Sequence, residues 1–308
     1  MKQERLRVGV VGVGHLGEYH VQKYMALPNV ELVGVVDTDP HRLNEISERY
    51  GVASYGTHAD LLKHVEALSL AVTYMVEPAD TLIQLALKGN LVLQVGLVER
   101  FNPAVVRMES LLTEPIFVES HRMNQFTPRG TDVDVVLDLM IHDLDIFLHI
   151  VQSEVKEVHA TGMSVVTDKT DIANARIIFQ NGTVANLTAS RVSNKTLRKI
   201  RVFQRDAYLS VNCFKREISV IRLDTQMKDP EGFPQLTTQK TGFPNSDPLA
   251  DQISAFVTSV INGTDPVVTG RDGRRALDVA LGIIHQIETG SRKFQDFDSV
   301  RELEQRRS

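Results

Sequence analysis

Two groups of residues combine types and spacings that could do chemistry. The first is Gly12-Val13-Gly14-His15-Leu16-Gly17, a GxGxxG that directly follows a β-rich run, Leu6 to Val11, and opens helical spacing from Leu16 towards Met25. The first glycine makes the turn, the second lets a pyrophosphate approach the backbone, and the third packs helix on strand. Amides of the helix's first turn, His15 and Leu16 among them, supply donors and positive potential to phosphates. Asp37 ends a second β-rich run, Val30 to Val36, where a carboxylate would take the adenosine ribose hydroxyls. The same charge repels a 2′-phosphate, so NAD is favoured over NADP, unless Arg42 folds back to relax that choice. A bare glycine turn beside an acidic loop would not put motif, strand, helix and acid in register.

The second group lies on one predicted helix, Val135 to Val151, which is apolar almost throughout. At 3.6 residues per turn Asp138, His142, Asp145 and His149 fall within about 60° of one another, with Asp134 at the edge of the stripe. A helix apolar all round should be buried, and burying two carboxylates and two imidazoles is costly unless they are paired or face a polar cavity. Asp138, four residues before His142, could orient and polarise the imidazole for general acid–base chemistry. Two other readings stand: internal hydrogen bonds joining two domains, or a metal site, although no third group completes an obvious ligand set. Asp138 and His142 are the catalytic candidates; Asp145 and His149 suit structural roles better. His15, His20 and His121, the last beside Arg122, suit surface or satisfied core positions.

These groups need elements to position them. In the first hundred residues strands alternate with helices: Pro40 to Tyr50 helical, Val52 to Tyr55 a short strand, Ala59 to Val65 helical, Leu68 to Thr73 a strand, Ala79 to Leu87 helical and Leu91 to Val95 a strand. That alternation implies crossover units and a parallel sheet. After Pro103 longer strands dominate: Ile116 to Met123, Val155 to Val166, Ala173 to Phe179, Thr183 to Arg191, and strand-like text from Arg198 to Leu223. Asn181-Gly182 is a hairpin signal. Asp224 to Asp247, rich in Pro and Gly, reads as irregular, and helices near Ala250 to Ile261 and Arg274 to Glu288 close the chain. The fold class is α/β: an N-terminal Rossmann dinucleotide-binding domain over 1–101, then an α+β domain over 102–308 with a large open, mostly antiparallel sheet.

Composition fits two domains: 308 residues with 42% hydrophobic and 24% charged content. A net charge of −5 without a long Lys/Arg block argues against gripping nucleic acid. The one cysteine, Cys213, makes neither an internal disulfide nor a Cys-built zinc site, as suits a reducing cytosol. No apolar run reaches the roughly 18 residues of a membrane span. Val8 to Val13 is too short for a signal peptide, so a cytoplasmic location is expected. The glycosylation-like Asn186-Leu-Thr and Asn194-Lys-Thr carry no meaning there.

GVVGVGHLGEYH, VGVVDTDP, VGLVERFNPAV, VVLDLMIHDLDI and NGTDPVVTGRDGRRALDVA together resemble the glucose–fructose oxidoreductase / inositol dehydrogenase (Gfo/Idh/MocA) family over nearly the whole chain. VERFNPAV, TPRGTDVDVVLDLMIHDLDI and DIANARIIFQNGTVANLTASRV are most similar to its UDP-N-acetylglucosamine 3-dehydrogenase-like branch. The resemblance implies NAD-dependent oxidation of a sugar hydroxyl to a ketone, His142 taking the hydroxyl proton and Asp138 supporting it. Thr73 would join the cofactor site, and Arg100, Asn102 and Arg129 would lie near the sugar or sugar nucleotide. A homodimer or homotetramer through the second-domain sheet is also implied.

One feature departs from the family. Its Glu-Lys-Pro, whose lysine assists proton transfer, is absent; the nearest text is Tyr74-Met75-Val76-Glu77-Pro78. Ala67 to Glu77 runs without a turn former, about 36 Å if extended, as if two strand ends abutted. A parallel pair needs a crossover of a dozen or more residues. Roughly 25–35 residues, one βαβ step with a loop, are therefore missing around Thr73 to Ala79 relative to the family. Either a segment of the protein is not represented in this sequence, or the chain lacks it. In the second case the alternative function is a non-catalytic dinucleotide-binding sensor or assembly protein.

Overall fold

The computed structural model describes residues 5–70, 79–128, 130–228 and 231–305. In chain order the elements are β1 Leu6–Val11, α1 His15–Ala26, β2 Val30–Val36, α2 Pro40–Tyr50, β3 Ala53–Ser54, α3 His58–Leu62, β4 Ala67–Leu70 and α4 Ala79–Gly89. Then come α5 Pro103–Glu109, β5 Pro115–Met123, α6 Ile141–Val151, β6 Val155–Met163, β7 Ile172–Phe179, β8 Val184–Ser190 and β9 Leu197–Gln204. The chain continues with β10 Tyr208–Asn212, β11 Glu217–Lys228, β12 Pro234–Gly242, α7 Pro248–Asn262 and α8 Gly270–Gln305. They form two compact units: Met1–Gly96 with Asp247–Gly270, and Leu97–Ser246 with Arg271–Ser308. This differs from a single division at 101/102. Residues 247–270 return to the first unit because α7 buries Ile253 and Val257 in the core that β1, β2 and α1 share.

The first unit carries a parallel sheet in the order β3-β2-β1-β4. Val8, Val10 and Val35 alternate or run into its core with Val21, Tyr24 and Ile46 from the covering helices. Such apolar runs are what a sheet covered on both faces requires. Pro40 and the Asp39 cap start α2, the Asp39 carboxylate accepting from the amides of His41 and Arg42.

Leu91 to Val95, predicted as a strand, does not join the sheet. Gln94 makes one antiparallel bridge to Thr269, and the Val95 amide donates to the Val268 carbonyl. Only residues 71–78, which lie outside the described residues, separate β4 from α4, too few for the crossover a parallel neighbour needs. Among the described residues β4 has one strand partner, β1. Helix α4, with Leu82, Leu85 and Leu87, buries no residue at all.

The second unit is built on an eight-stranded sheet, β12-β11-β10-β9-β5-β8-β7-β6, in which β5/β8 is parallel and every other pair antiparallel. The Asn181-Gly182 turn joins β7 to β8 as expected, with Gly182 at φ +87°. The stretch after Asp224, predicted irregular, is instead the end of β11 and all of β12, paired in register from Glu217 to Asp224 and shifted before Lys228↔Pro234. Pairing with β11 outweighs a turn-forming composition that puts Pro234 and Gly242 at the two ends of β12. The predicted helix from Val135 is a short π segment, Val136–Met140, running into α6.

The two contrasting leucines of the first unit give a test. Leu61 is fully buried and Leu85 is 57% exposed. In urea unfolding, Leu61→Ala should cost about 2–5 kcal/mol, and Leu85→Lys less than about 0.5 kcal/mol. Comparable losses in both would show that something covers α4 in solution.

Candidate functional site

In the first unit the turn after β1 is shaped by Gly12, whose φ of +81° suits glycine, and its amide donates to the Val36 carbonyl (2.8 Å). Asp37 faces this turn. Its Oδ2 accepts from the Val13 amide at 2.7 Å and its Oδ1 from the Asp39 amide at 2.9 Å, so the carboxylate is fixed beside the glycine loop. A Cβ on Gly14 would meet nothing within 4 Å, and α1 has no side-chain cap at its N-terminus, while Gly17 is buried. Open space before uncapped amides, beside an anchored carboxylate, fits a dinucleotide's pyrophosphate and ribose. Arg42 does fold back: Nε donates to the Val13 carbonyl at 2.9 Å. Its terminal nitrogens, however, are taken by Glu18 at 2.5 Å and Glu45 at 2.7 Å. Hydrogen bonds from Tyr50 and Arg42 hold the Glu18 carboxyl at about 2, keeping it ionised against Arg42.

In the second unit the approach to α6 is pinned from several sides. Arg191 donates to the carbonyls of Gly130 and Val133, and Asp134 accepts from the Thr170 amide at 3.0 Å. The Asp138 carboxylate packs against Gly130. The π segment at Val136–Met140 widens the helical turn that separates Asp138 from His142. His142 keeps part of its ring accessible, while its Nδ1 is buried without a hydrogen-bond partner. Burial, with Arg122 and Arg198 adding to it and Glu99 opposing, lowers His142 to about 4, so the imidazole is neutral at neutral pH.

The charges around it come from residues that sequence spacing did not single out. Arg122 on β5 donates to Glu99 Oε1 at 2.8 Å and clasps Asp143 of α6 at 2.6 Å, with all three side chains buried. Burial alone would raise the Glu99 carboxyl, but Arg122's charge and hydrogen bond lower it well below the usual range. One signal was available: an aspartate next to a histidine on an apolar helix must find a cation, and Arg122 sits on a predicted strand.

The predicted ridge divides. Asp145 pairs with Arg100 at 3.3 Å, and Glu109 lies 3.8 Å from Arg100 and 3.7 Å from His149. Asp145 and His149 border a cavity of about 310 Å³ with Asp272 and Arg275. Burial pushes the Asp145 carboxyl up to about 7, Arg100 opposing and Asp272 and Glu109 adding to the rise. Asn102 is buried too, its amide nitrogen donating to Glu99 and to the Cys213 carbonyl while its oxygen caps α5. Arg100 and Asn102 are thus held by protein partners. Arg129 and Thr73 lie outside the described residues. No three His, Cys, Asp or Glu side chains among the described residues are placed to hold a metal ion, and no described helix is long and apolar enough to cross a membrane.

Comparison with known proteins agrees with this fold. Residues 6–94 match the model of an oxidoreductase family with an NAD-binding Rossmann fold, and 105–210 match the GFO/IDH/MocA C-terminal domain. UDP-N-acetylglucosamine 3-dehydrogenase of Acidithiobacillus ferrooxidans is 33% identical, over 92% of this chain and 97% of its own. Its crystal structure superposes with a TM-score of 0.85 at 32% identity, covering 92% and 98% of the two chains. A scyllo-inositol dehydrogenase from Lactobacillus casei, solved with NAD(H) and scyllo-inositol, shares the fold at TM-score 0.75 and 16% identity, over 93% and 98% of the chains. The alignment with the first relative spans 309 positions but 92% of this 308-residue chain, leaving about 26 positions opposite gaps here.

The Asp145 cluster makes a pH prediction. With a folded value of about 7 against roughly 4 unfolded, the native state holds the extra proton between those limits, so stability falls as pH rises through that window. In Asp145→Asn the loss between pH 5 and pH 8 in denaturant unfolding should shrink by on the order of 2 kcal/mol. An unchanged pH dependence would show that Asp145 is ionised throughout, facing Arg100, Glu109, His149 and Asp272.

Proposed function

This chain belongs to the GFO/IDH/MocA family of NAD-binding oxidoreductases, and on that premise we propose that it oxidises the 3-hydroxyl of UDP-N-acetylglucosamine, or of a related sugar nucleotide, to a ketone. The observation that carries the reading is His142: a neutral, partly accessible imidazole set among buried and mutually paired charges. NAD, when bound, accepts the hydride. His142 takes the hydroxyl proton as that hydride leaves. Asp138, one widened turn earlier, favours the imidazolium that forms. The fixed Asp37 carboxylate accepts from the ribose hydroxyls and disfavours a 2′-phosphate. Arg42, neutralised by Glu18 and Glu45, does little to offset that preference. The specific sugar rests on the likeness to the Acidithiobacillus enzyme, a dehydrogenase of that substrate by name.

The missing Glu-Lys-Pro and the four-stranded sheet favour the second reading, a dinucleotide-binding protein without turnover. NAD reduction in the presence of UDP-N-acetylglucosamine separates the two. An enzyme should reduce NAD, and His142→Ala should lower kcat about 100-fold or more while the protein stays folded. Because His142 is a base only when neutral, kcat/KM should be level from about pH 6 to pH 8 and fall only as pH drops towards 4. Full turnover in His142→Ala would remove it from the mechanism; NAD binding without reduction would establish the sensor.

Cofactor choice is checked separately. Asp37→Ser should raise the KM for NAD about tenfold and narrow the ratio of NAD to NADP use. An unchanged ratio would show that the carboxylate serves only to hold the loop.

A further inference from the structure

Arg198 on β9 stands in register with Arg122 on β5, so the two side chains leave the same face of the sheet. Its charge reaches His142, whose protonation it disfavours. Its hydrogen-bonding capacity is unspent. Nε is buried with no partner, and its ion-pair partner, Glu99 Oε1, lies 3.7 Å from NH1, beyond a hydrogen bond. Glu99 is occupied by Arg122 and Asn102. Two other described arginines, Arg191 and Arg201, also leave a buried Nε open. Both use their terminal nitrogens, on the carbonyls of Gly130 and Val133 and on Glu119 respectively. Arg198 makes no side-chain hydrogen bond within the described residues, yet 36% of its side chain is exposed, enough for a ligand to reach the fork.

The reachable terminal nitrogens of Arg198, without a hydrogen bond to a described residue, are placed to take an acceptor from outside the chain. We propose that Arg198 is the anion-binding residue of the substrate site, its guanidinium taking phosphate oxygens of the sugar nucleotide's diphosphate beside His142. This rests on the dehydrogenase reading above and gives it a substrate class: anionic sugars over neutral ones. A planar guanidinium suits phosphate because two of its N–H groups can donate in parallel. An anion placed there also offsets a cation that weakens His142, so binding of the correct substrate strengthens the base that acts on it.

The test is titration calorimetry of UDP into the NAD-loaded full-length protein, for wild type, Arg198→Gln and Arg198→Lys, with thermal melts confirming that each is folded. The expected result is UDP affinity lowered about tenfold or more in Arg198→Gln and partly restored in Arg198→Lys. In turnover, KM for UDP-N-acetylglucosamine should rise about tenfold or more in Arg198→Gln and less in Arg198→Lys. Equal UDP affinity in wild type and Arg198→Gln, or no UDP binding by wild type, overturns the proposal. Because binding is read without turnover, a protein that holds UDP through Arg198 yet never reduces NAD would overturn the catalytic reading and leave the anion subsite standing.

Discussion

The second unit turns on one buried guanidinium. Arg122 leaves β5 and closes on Asp143 of α6 and on Glu99 in the turn before α5. Three segments distant in sequence are thereby tied at one point that water does not reach. Buried charges are tolerated only when their partners are in place, and losing one partner typically costs about 3–5 kcal/mol. The clasp therefore fixes how α6 lies on the sheet, and α6 carries His142. The same guanidinium lowers the proton affinity of that imidazole, so positioning and tuning come from a single residue.

That tuning has a limit. A base works best when its pKa lies near the operating pH, and a histidine lowered to about 4 is available at neutral pH but weak. Glu99 is the group that pulls in the other direction, and its own charge is secured by Arg122 and Asn102. On the proposed reading the resting site keeps His142 unprotonated, and what strengthens it as a base arrives with the ligand. An anion near Arg198 would do so without moving any protein atom, by cancelling a charge rather than changing a shape.

The dinucleotide loop was legible because each of its parts has a local cause. Gly12 must adopt positive φ, and Asp37 follows at the end of β2, one crossover later. The ridge was only half legible. Regular 3.6-residue spacing places Asp138, His142, Asp145 and His149 together, but the π segment widens one turn between the first two. Asp145 and His149 then share Arg100 and Glu109, while His142 keeps company with Glu99, Arg122 and Arg198. Asp143, off the stripe, became the anchor because β5 brings a cation to it, a long-range pairing no local spacing encodes. β12 escaped for a similar reason: its partner β11, not its own composition, makes it a strand.

The departure from the family falls on one side of the first unit. The loop, Asp37, Arg42 and Glu18 belong to β1, β2 and the helices that follow them, all with complete partners. The sheet's other side ends, among the described residues, at β4, and α4, which follows it in the chain, buries nothing. A dinucleotide fold is built from two mononucleotide-binding halves, one for each nucleotide. The features proposed to take pyrophosphate and adenosine ribose sit at the ends of β1 and β2, so that proposal draws on neither residues 71–78 nor the family lysine. Proton transfer, by contrast, normally draws on that lysine, and here its described candidates all lie in the second unit. Under the proposed reading the gap weighs on turnover more than on cofactor binding, and His142, with the charges that surround it, is the candidate left for proton transfer.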